Sequence, residues 1–311
     1  DERVIRYGPA GWEYRDWAGV VYPRPLPRGF DPLRWLAAWF DTVEVNATFY
    51  RPFTAEAALK WAARVEDRPG FRFSVKAWRR FTHEREAPPT PAEIAEGRAP
   101  LDALREAGRL GAVLVQFPWS FKRSVESEEW LGGVFQALAG LPLVLEVRHA
   151  SWEAPDFLAE LAERAVGIVN VDQPMFSRSI APAARVTAAV AYVRVHGRNF
   201  RDWFREGAGR DARYDYLYRA DELRPWAARV KQLDADPSRP DVYVVTNNHF
   251  EGKAVANARM LEAMVRGKKV GAPAPLLDRY AKVLGPYAVP EDGPPPAPPG
   301  RTAPPAQGTL F

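Results

Sequence analysis

The chain has 311 residues, 47% of them hydrophobic, with a formal net charge of +4 and a pI near 9.3. It contains no cysteine, which excludes disulfides, thiolate metal sites, iron–sulfur clusters and cysteine nucleophiles together. No run of about 18 apolar residues occurs and the opening DERVIRYG lacks an apolar secretion core, so a cytoplasmic protein without a membrane span is expected.

Eight β-like runs follow one another, beginning at Val4, Thr42, Phe71, Ala112, Leu143, Val166, Ala191 and Asp241. Between them lie segments of helical periodicity: DPLRWLAAWF, AEAALKWAARV, EEWLGGVFQALAG, DFLAELAERA, ELRPWAARVKQL and AVANARMLEAMV. Asp31 before Pro32 pairs an N-cap residue with proline at the first helical position. Strands alternating with helices of about 10–15 residues predict a parallel sheet. Eight such units predict an α/β fold, a (β/α)8 TIM-like barrel over residues 1–288. A doubly wound open sheet is the rival, but no G-x-G-x-x-G opens a helix. The proline-rich stretch from Phe81 to Pro100 reads as a long loop, a candidate lid or substrate clamp. From Val289 the composition turns to proline without apolar periodicity, so residues 289–311 are expected to be a disordered, extended tail.

A barrel strand sends alternate side chains inward and outward. In strands 2 to 8 one set is apolar and the other polar near the C-terminal end. If the apolar set faces the helices, the polar set faces the axis at the mouth, where active sites of this fold lie. That places Glu44, Asn46, Lys76, Gln116, Glu146, Arg148, Asp172, His196 and Asn248 in one site, with Arg194 and Arg198 adding charge. Such a cluster is costly unless paired, hydrogen-bonded or wet. The bland alternative is an ion-pair network that fills the barrel.

There is no G-x-S-x-G elbow and no P-loop, and the four histidines are too few for a multi-zinc site. Two schemes stand side by side. One is a single divalent cation, Mg2+ or Mn2+, held by two carboxylates and a histidine. The other is metal-free, with Glu146 as base and Lys76 with Arg148 on an anion. Glu44, Glu146, Asp172 and His196 are the candidate catalytic groups. Asn46, Lys76, Gln116, Arg148, His149, Arg198, Asn247 and Asn248 are the candidate substrate or phosphate binders. The basic groups favour an anionic substrate over a neutral sugar.

GPAGWEYRDWAGVVYP (8–23), VEVNATFYRPF (43–53), FSVKAW (73–78), VQFPWSF (115–121), LEVRHASW (145–152) and NNHFEGKAVANA (247–258) occur in this order. Together they resemble the DUF72 family of bacterial and archaeal proteins over about residues 4–285. The resemblance implies a variant TIM barrel whose last strand can run antiparallel, and it brings no settled activity. The usual opening GTSGW is GPAGW here, so Pro9 and Ala10 remove two hydroxyls. After strand 1 come Trp12, Tyr14, Trp17 and Tyr22. Trp12 and Tyr14 could stack bases or sugars at the rim, or simply line the mouth.

The chain ends QGTLF, and Gln307-x-x-Leu310-Phe311 resembles the peptide by which bacterial repair proteins and polymerases dock on the DNA sliding clamp. Glutamine would bond at the pocket lip, and Leu310 and Phe311 would fill an apolar groove. These readings point to a DNA-metabolism protein, a nuclease-like hydrolase of phosphate esters recruited by the clamp. A sugar or sugar-phosphate isomerase or hydrolase, and a non-catalytic clamp adaptor, are the alternatives.

Overall fold

A computed structural model describes residues 4–200, 214–238 and 240–293. Eight strands form one sheet: β1 (Ile5–Pro9), β2 (Thr42–Val45), β3 (Arg72–Lys76), β4 (Leu110–Gln116), β5 (Leu143–Glu146), β6 (Gly167–Asp172), β7 (Val190–Val195) and β8 (Asp241–Thr246). Every paired neighbour runs parallel, including β8 against both β1 and β7. The last barrel strand is therefore parallel, not antiparallel. The ring closes through a bridge between Ala10 and Glu44, where Gly11 N donates to Glu44 O at 2.8 Å. Only glycine lets β1 approach β2 this closely, because a Cβ on Gly8 would lie 1.9 Å from Thr42 O.

Helices wrap the barrel: α1 (Pro32–Ala37), α2 (Ala55–Arg64), α3 (Pro91–Glu106), α4 (Val125–Ala137), α5 (Pro155–Glu163), α6 (Ala220–Asp234), α7 (Lys253–Arg266), α8 (Ala274–Arg279) and α9 (Ala281–Leu284). Asp31 caps α1 through Leu33 N and Arg34 N. The stretch expected to be a lid loop is in large part α3. Thr90 and Glu93 form a reciprocal capping box there, Pro91 occupies the first turn, and Pro100 is carried inside the helix. Gly97 brings α3 down on Phe81, since a Cβ there would sit 2.7 Å from that ring.

No helix joins β6 to β7; residues 173–189 are irregular. Two further strands, β9 (Val270–Pro273) and β10 (Ala288–Glu291), pair in parallel beside the barrel. The described fold thus runs past residue 288, where composition alone begins the tail. Gln307, Leu310 and Phe311 lie outside the described residues.

The core has two parts. The larger fills the space between strands and helices, with Val43, Val45, Val113, Val115, Val193, Val195, Val242 and Val244 pointing outward into it. The smaller lies inside the barrel and includes Ala10, Leu114, Val144, Val169, Val171, Tyr192, Tyr243 and Val245. Tyr192 and Tyr243, register partners on the neighbouring strands β7 and β8, stack at 6.0 Å inside the barrel. This apolar plug is the floor beneath the mouth, and it makes the barrel a packed core rather than a pore. Among the described residues no helix is long and apolar enough to cross a membrane.

Candidate active site

Partners in register on neighbouring parallel strands share a face, which fixes who looks inward. Glu44 pairs with Ser74, Lys76 with Leu114, and Gln116 with Glu146. All of these share the inner face with Leu114 of the plug. Arg194 pairs with Val171 and Val245, also of the plug. The expected ring therefore holds for strands 2, 3, 4, 5 and 7.

It fails for β6 and β8. Asp172 pairs with Val195, and Thr246 pairs with Val195 from the other side, so both face outward. Asp172 accepts from Trp226 Nε1 at 2.8 Å, from Arg198 Nε at 2.9 Å and NH2 at 2.8 Å, and from the Tyr218 hydroxyl. It belongs to the seam between β6 and α6, not to the mouth. Arg198, expected to bind phosphate, is the partner of Asp172. Asn170 faces outward for a related reason: it accepts from Arg185 N at 2.8 Å and donates to Arg185 O at 3.0 Å. The irregular segment that replaces a helix needs a side chain to satisfy its backbone, and β6 supplies it. On β8, Asn248 turns to Asn257 and to Tyr216 O, each at 2.8 Å. Asn247 takes the inward place instead.

What converges inside is a charged layer on the tyrosine floor. Arg194 is its centre, 2% exposed. Its NH2 lies 2.6 Å from Glu44 Oε1, its Nε 3.0 Å from Glu44 Oε2, and its NH1 3.0 Å from Glu146 Oε2. Tyr192 donates to Glu44 Oε2 at 2.9 Å, with its hydroxyl 2.6 Å from Ser74 Oγ. Glu146 Oε1 accepts from Arg148 Nε at 3.1 Å and lies 3.0 Å from His196 Nε2. Asn247 Nδ2 is 3.1 Å from His196 Nδ1. An amide nitrogen only donates, so Nδ1 accepts and the imidazole proton sits on Nε2, facing Glu146. Burial pushes His196 down to about 3, and Arg194 and Arg148 add to it against the pull of Glu146. His196 is thus neutral.

Burial alone would raise Glu146, but Arg194, His196 and Arg148 outweigh it and hold the carboxyl well below its usual range. With both oxygens occupied by donors, Glu146 is a poor base, and Glu44 is gripped in the same way. The expected roles for these two carboxylates give way to an ion-pair network. Nor does the donor set fit a divalent cation: among the described residues no three His, Asp or Glu side chains are grouped to hold one. The two carboxylates and the histidine expected to hold Mg2+ or Mn2+ are engaged with Arg194, Arg148 and Asn247.

Lys76 is different. Its Nζ lies 3.9 Å from the centre of the Phe49 ring. Among the described residues no carboxylate is within ion-pair distance of it. Burial, reinforced by Arg194, holds the ammonium down to about 7. Asn46 lies one position beyond Val45, the last residue of β2, whose register partner is Val75, and opens the turn that follows. Its Oδ1 is buried without a hydrogen-bond partner. Gln116 Nε2 is turned to Phe117 O at 2.6 Å. His149 sits off the axis, with Nδ1 accepting from Ser151 N at 3.1 Å.

The rim aromatics expected after β1 are mostly interior. Trp12 is 8% exposed and packs edge-on to Trp61 at 6.0 Å. Tyr14 stacks on His249 at 4.5 Å and donates to Ala10 O at 2.7 Å. Trp12 belongs to the larger core between strands and helices, and His249 covers one face of Tyr14. A row that sequence reasoning missed lies on the loops after β4, β6 and β7. Trp119 meets Phe176 at 6.3 Å, and Phe176 meets Phe200 at 5.6 Å, with Phe200 53% exposed. The available signal was an aromatic residue a few positions beyond each of these strand ends.

The model of the family described as a protein of unknown function, DUF72, matches residues 6–279. This chain belongs to the DUF72 family. It is 30% identical over 275 residues to the UPF0759 protein YunF of Bacillus subtilis, covering 84% of this chain and 95% of that one. The crystal structure of a DUF72 family protein from Thermotoga maritima superposes with a TM-score of 0.73 at 30% identity, over 84% of this chain and 99% of the other. A DUF72 family protein from Enterococcus faecalis gives 0.72 at 24% identity, over 85% and 96%. The match to the DUF72 model stops short of the C-terminal tail.

Proposed function

We propose that this DUF72 barrel is a cytoplasmic DNA-metabolism protein that binds the phosphate esters of nucleic acid at its mouth and is recruited by the sliding clamp through Gln307, Leu310 and Phe311. One observation carries the reading: the aromatic row of Trp119, Phe176 and Phe200 follows the C-terminal ends of β4, β6 and β7, the barrel end at which Lys76 closes β3 and Arg148 follows β5. Bases stack on aromatic faces while cations take the phosphates, which is how single strands are held without base-specific contacts. The chemistry is assigned to Lys76 rather than to a carboxylate or a metal, because Glu44 and Glu146 are occupied by guanidinium groups.

Anisotropy titration with a fluorescent single-stranded oligonucleotide tests this. Affinity is expected to fall as salt rises, in proportion to the phosphates neutralised. Phe200→Ala should weaken binding by about 1–3 kcal/mol, the usual worth of one base stack. Salt-independent or undetectable binding would overturn the reading. The second reading, a sugar-phosphate enzyme, makes Phe200→Ala silent.

A further inference from the structure

The charged layer balances itself and leaves one cation over. Glu44 and Glu146 answer Arg194 and Arg148, two carboxylates against two guanidinium groups. Lys76 ends β3 on the inner face, in register with Leu114 of the plug. Around it stand Phe49 beneath Nζ, the Glu44 and Glu146 carboxylates, and the Arg194 and Arg148 guanidinium groups. His83, whose ring meets Phe49 at 4.8 Å, is pushed down to about 4 by burial and by Lys76, so it brings no charge. A lysine kept only as a structural cation would be paired with a carboxylate. This one is set on an aromatic face, and at the end of the neighbouring strand β2 a buried acceptor, Asn46 Oδ1, lacks a donor.

We propose that Lys76 is a covalent nucleophile that forms an imine with the aldehyde or ketone carbon of a phosphate-bearing ligand, whose anionic group lies against Arg148. This rests on the reading of the mouth as an anion site and names the substrate class for it. The lone pair of the neutral amine attacks the carbonyl carbon, and the π pair moves to oxygen, which takes one proton from nitrogen through solvent. The carbinolamine then loses water, made of that hydroxyl and the second nitrogen proton, and leaves C=N. No oxidant or reductant takes part. An ordinary lysine is almost wholly protonated at neutral pH, whereas an amine held near 7 is roughly half neutral there. The ligand's hydroxyl groups supply the donor that Asn46 Oδ1 lacks. Two sources carry this chemistry: the ring-opened sugar of an abasic site in DNA, and a free sugar phosphate.

Reductive trapping tests it. The full chain is incubated with sodium cyanoborohydride and either an abasic-site oligonucleotide, glyceraldehyde 3-phosphate or unphosphorylated glyceraldehyde. Intact mass and peptide mapping then read the adduct. A single adduct on Lys76 is expected. The oligonucleotide arm identifies the DNA source and the triose phosphate arm the small-molecule source. Lys76→Arg, which keeps the charge, should lose the adduct with an unchanged melting curve. Arg148→Met should slow trapping of the phosphorylated ligand about tenfold or more, the worth of a charge-assisted contact, and leave glyceraldehyde less affected. No adduct, or adducts scattered over surface lysines equally in Lys76→Arg, overturns the imine. An intact oligonucleotide separates the two readings: if it binds while no adduct forms, the anion site stands and the imine falls. If nothing binds, the anion site falls too.

Discussion

Arg194 NH2 lies 2.6 Å from Glu44 Oε1 while its Nε lies 3.0 Å from Oε2, so one guanidinium grips both oxygens of one carboxylate. Its remaining nitrogen reaches Glu146 Oε2 at 3.0 Å. All three groups are 2% exposed or less. Taking them from water costs several kcal/mol per ion, and mutual geometry returns it. Removing the shared cation leaves two carboxylates buried side by side. Arg194→Met should therefore destabilise the fold by about 3–5 kcal/mol or more, read as a lower urea midpoint. An unchanged midpoint would mean that the layer is wet and adaptable.

His196 gives the acid limb of stability. Its folded pKa of about 3 lies below the ordinary imidazole value of 6.5. Between those values the unfolded chain binds the extra proton and the folded one does not, so stability rises with pH across that window. Acidification from 6.5 toward 3 should erode the fold, and His196→Gln should flatten part of that slope. Imidazole nitrogen NMR should show a neutral ring at pH 5 with its proton on Nε2. A charged ring at pH 5 would contradict the assignment.

The clamp peptide is tested with the full chain. Burying a leucine or phenylalanine is worth about 1.5–3 kcal/mol each. Leu310→Ala with Phe311→Ala should then abolish binding to the host's clamp while the melting curve stays put. Equal binding by both chains, or none by either, removes the docking proposal.

Helix α3 rests on a cap that the sequence spells out. Thr90→Ala removes the hydroxyl that accepts from Glu93 N, leaves the bond from the backbone N–H of residue 90 to the Glu93 carboxylate in place, and should cost about 1 kcal/mol in thermal or urea melts. No loss would mean that packing of Gly97 on Phe81 alone sets the helix start.

The barrel itself was legible because its strands and helices alternate with little interruption, and parity placed Glu44, Lys76, Gln116, Glu146 and His196 correctly. Helix α3 was hidden by its prolines, although T-P-A-E is a start signal in plain view. Parity misled at Asp172 and Asn248 because it assumes that polar residues face the axis. On β6 and β8 the helix side carries its own polar demands: Trp226, Tyr218 and Arg198 for Asp172, and Asn257 with Tyr216 O for Asn248. The two aromatic partners of Asp172 lie 46 and 54 positions away, and such separations leave no local signature. Likewise, composition shows that acids and bases are present at the mouth, but only geometry shows that the guanidinium groups satisfy the carboxylates and leave Lys76 over.

The titration of Lys76 bears most directly on this account. Carbon–proton NMR of the lysine ε-methylenes, with Lys76 assigned by its loss in Lys76→Arg, reads the ammonium pKa. A midpoint of about 7 is expected. The same shift makes the fold gain stability as pH rises from there toward the ordinary lysine value, since only the unfolded chain is then protonated. A midpoint near 10.4, the value of a solvated lysine, would contradict the claim that the mouth presents a neutral amine.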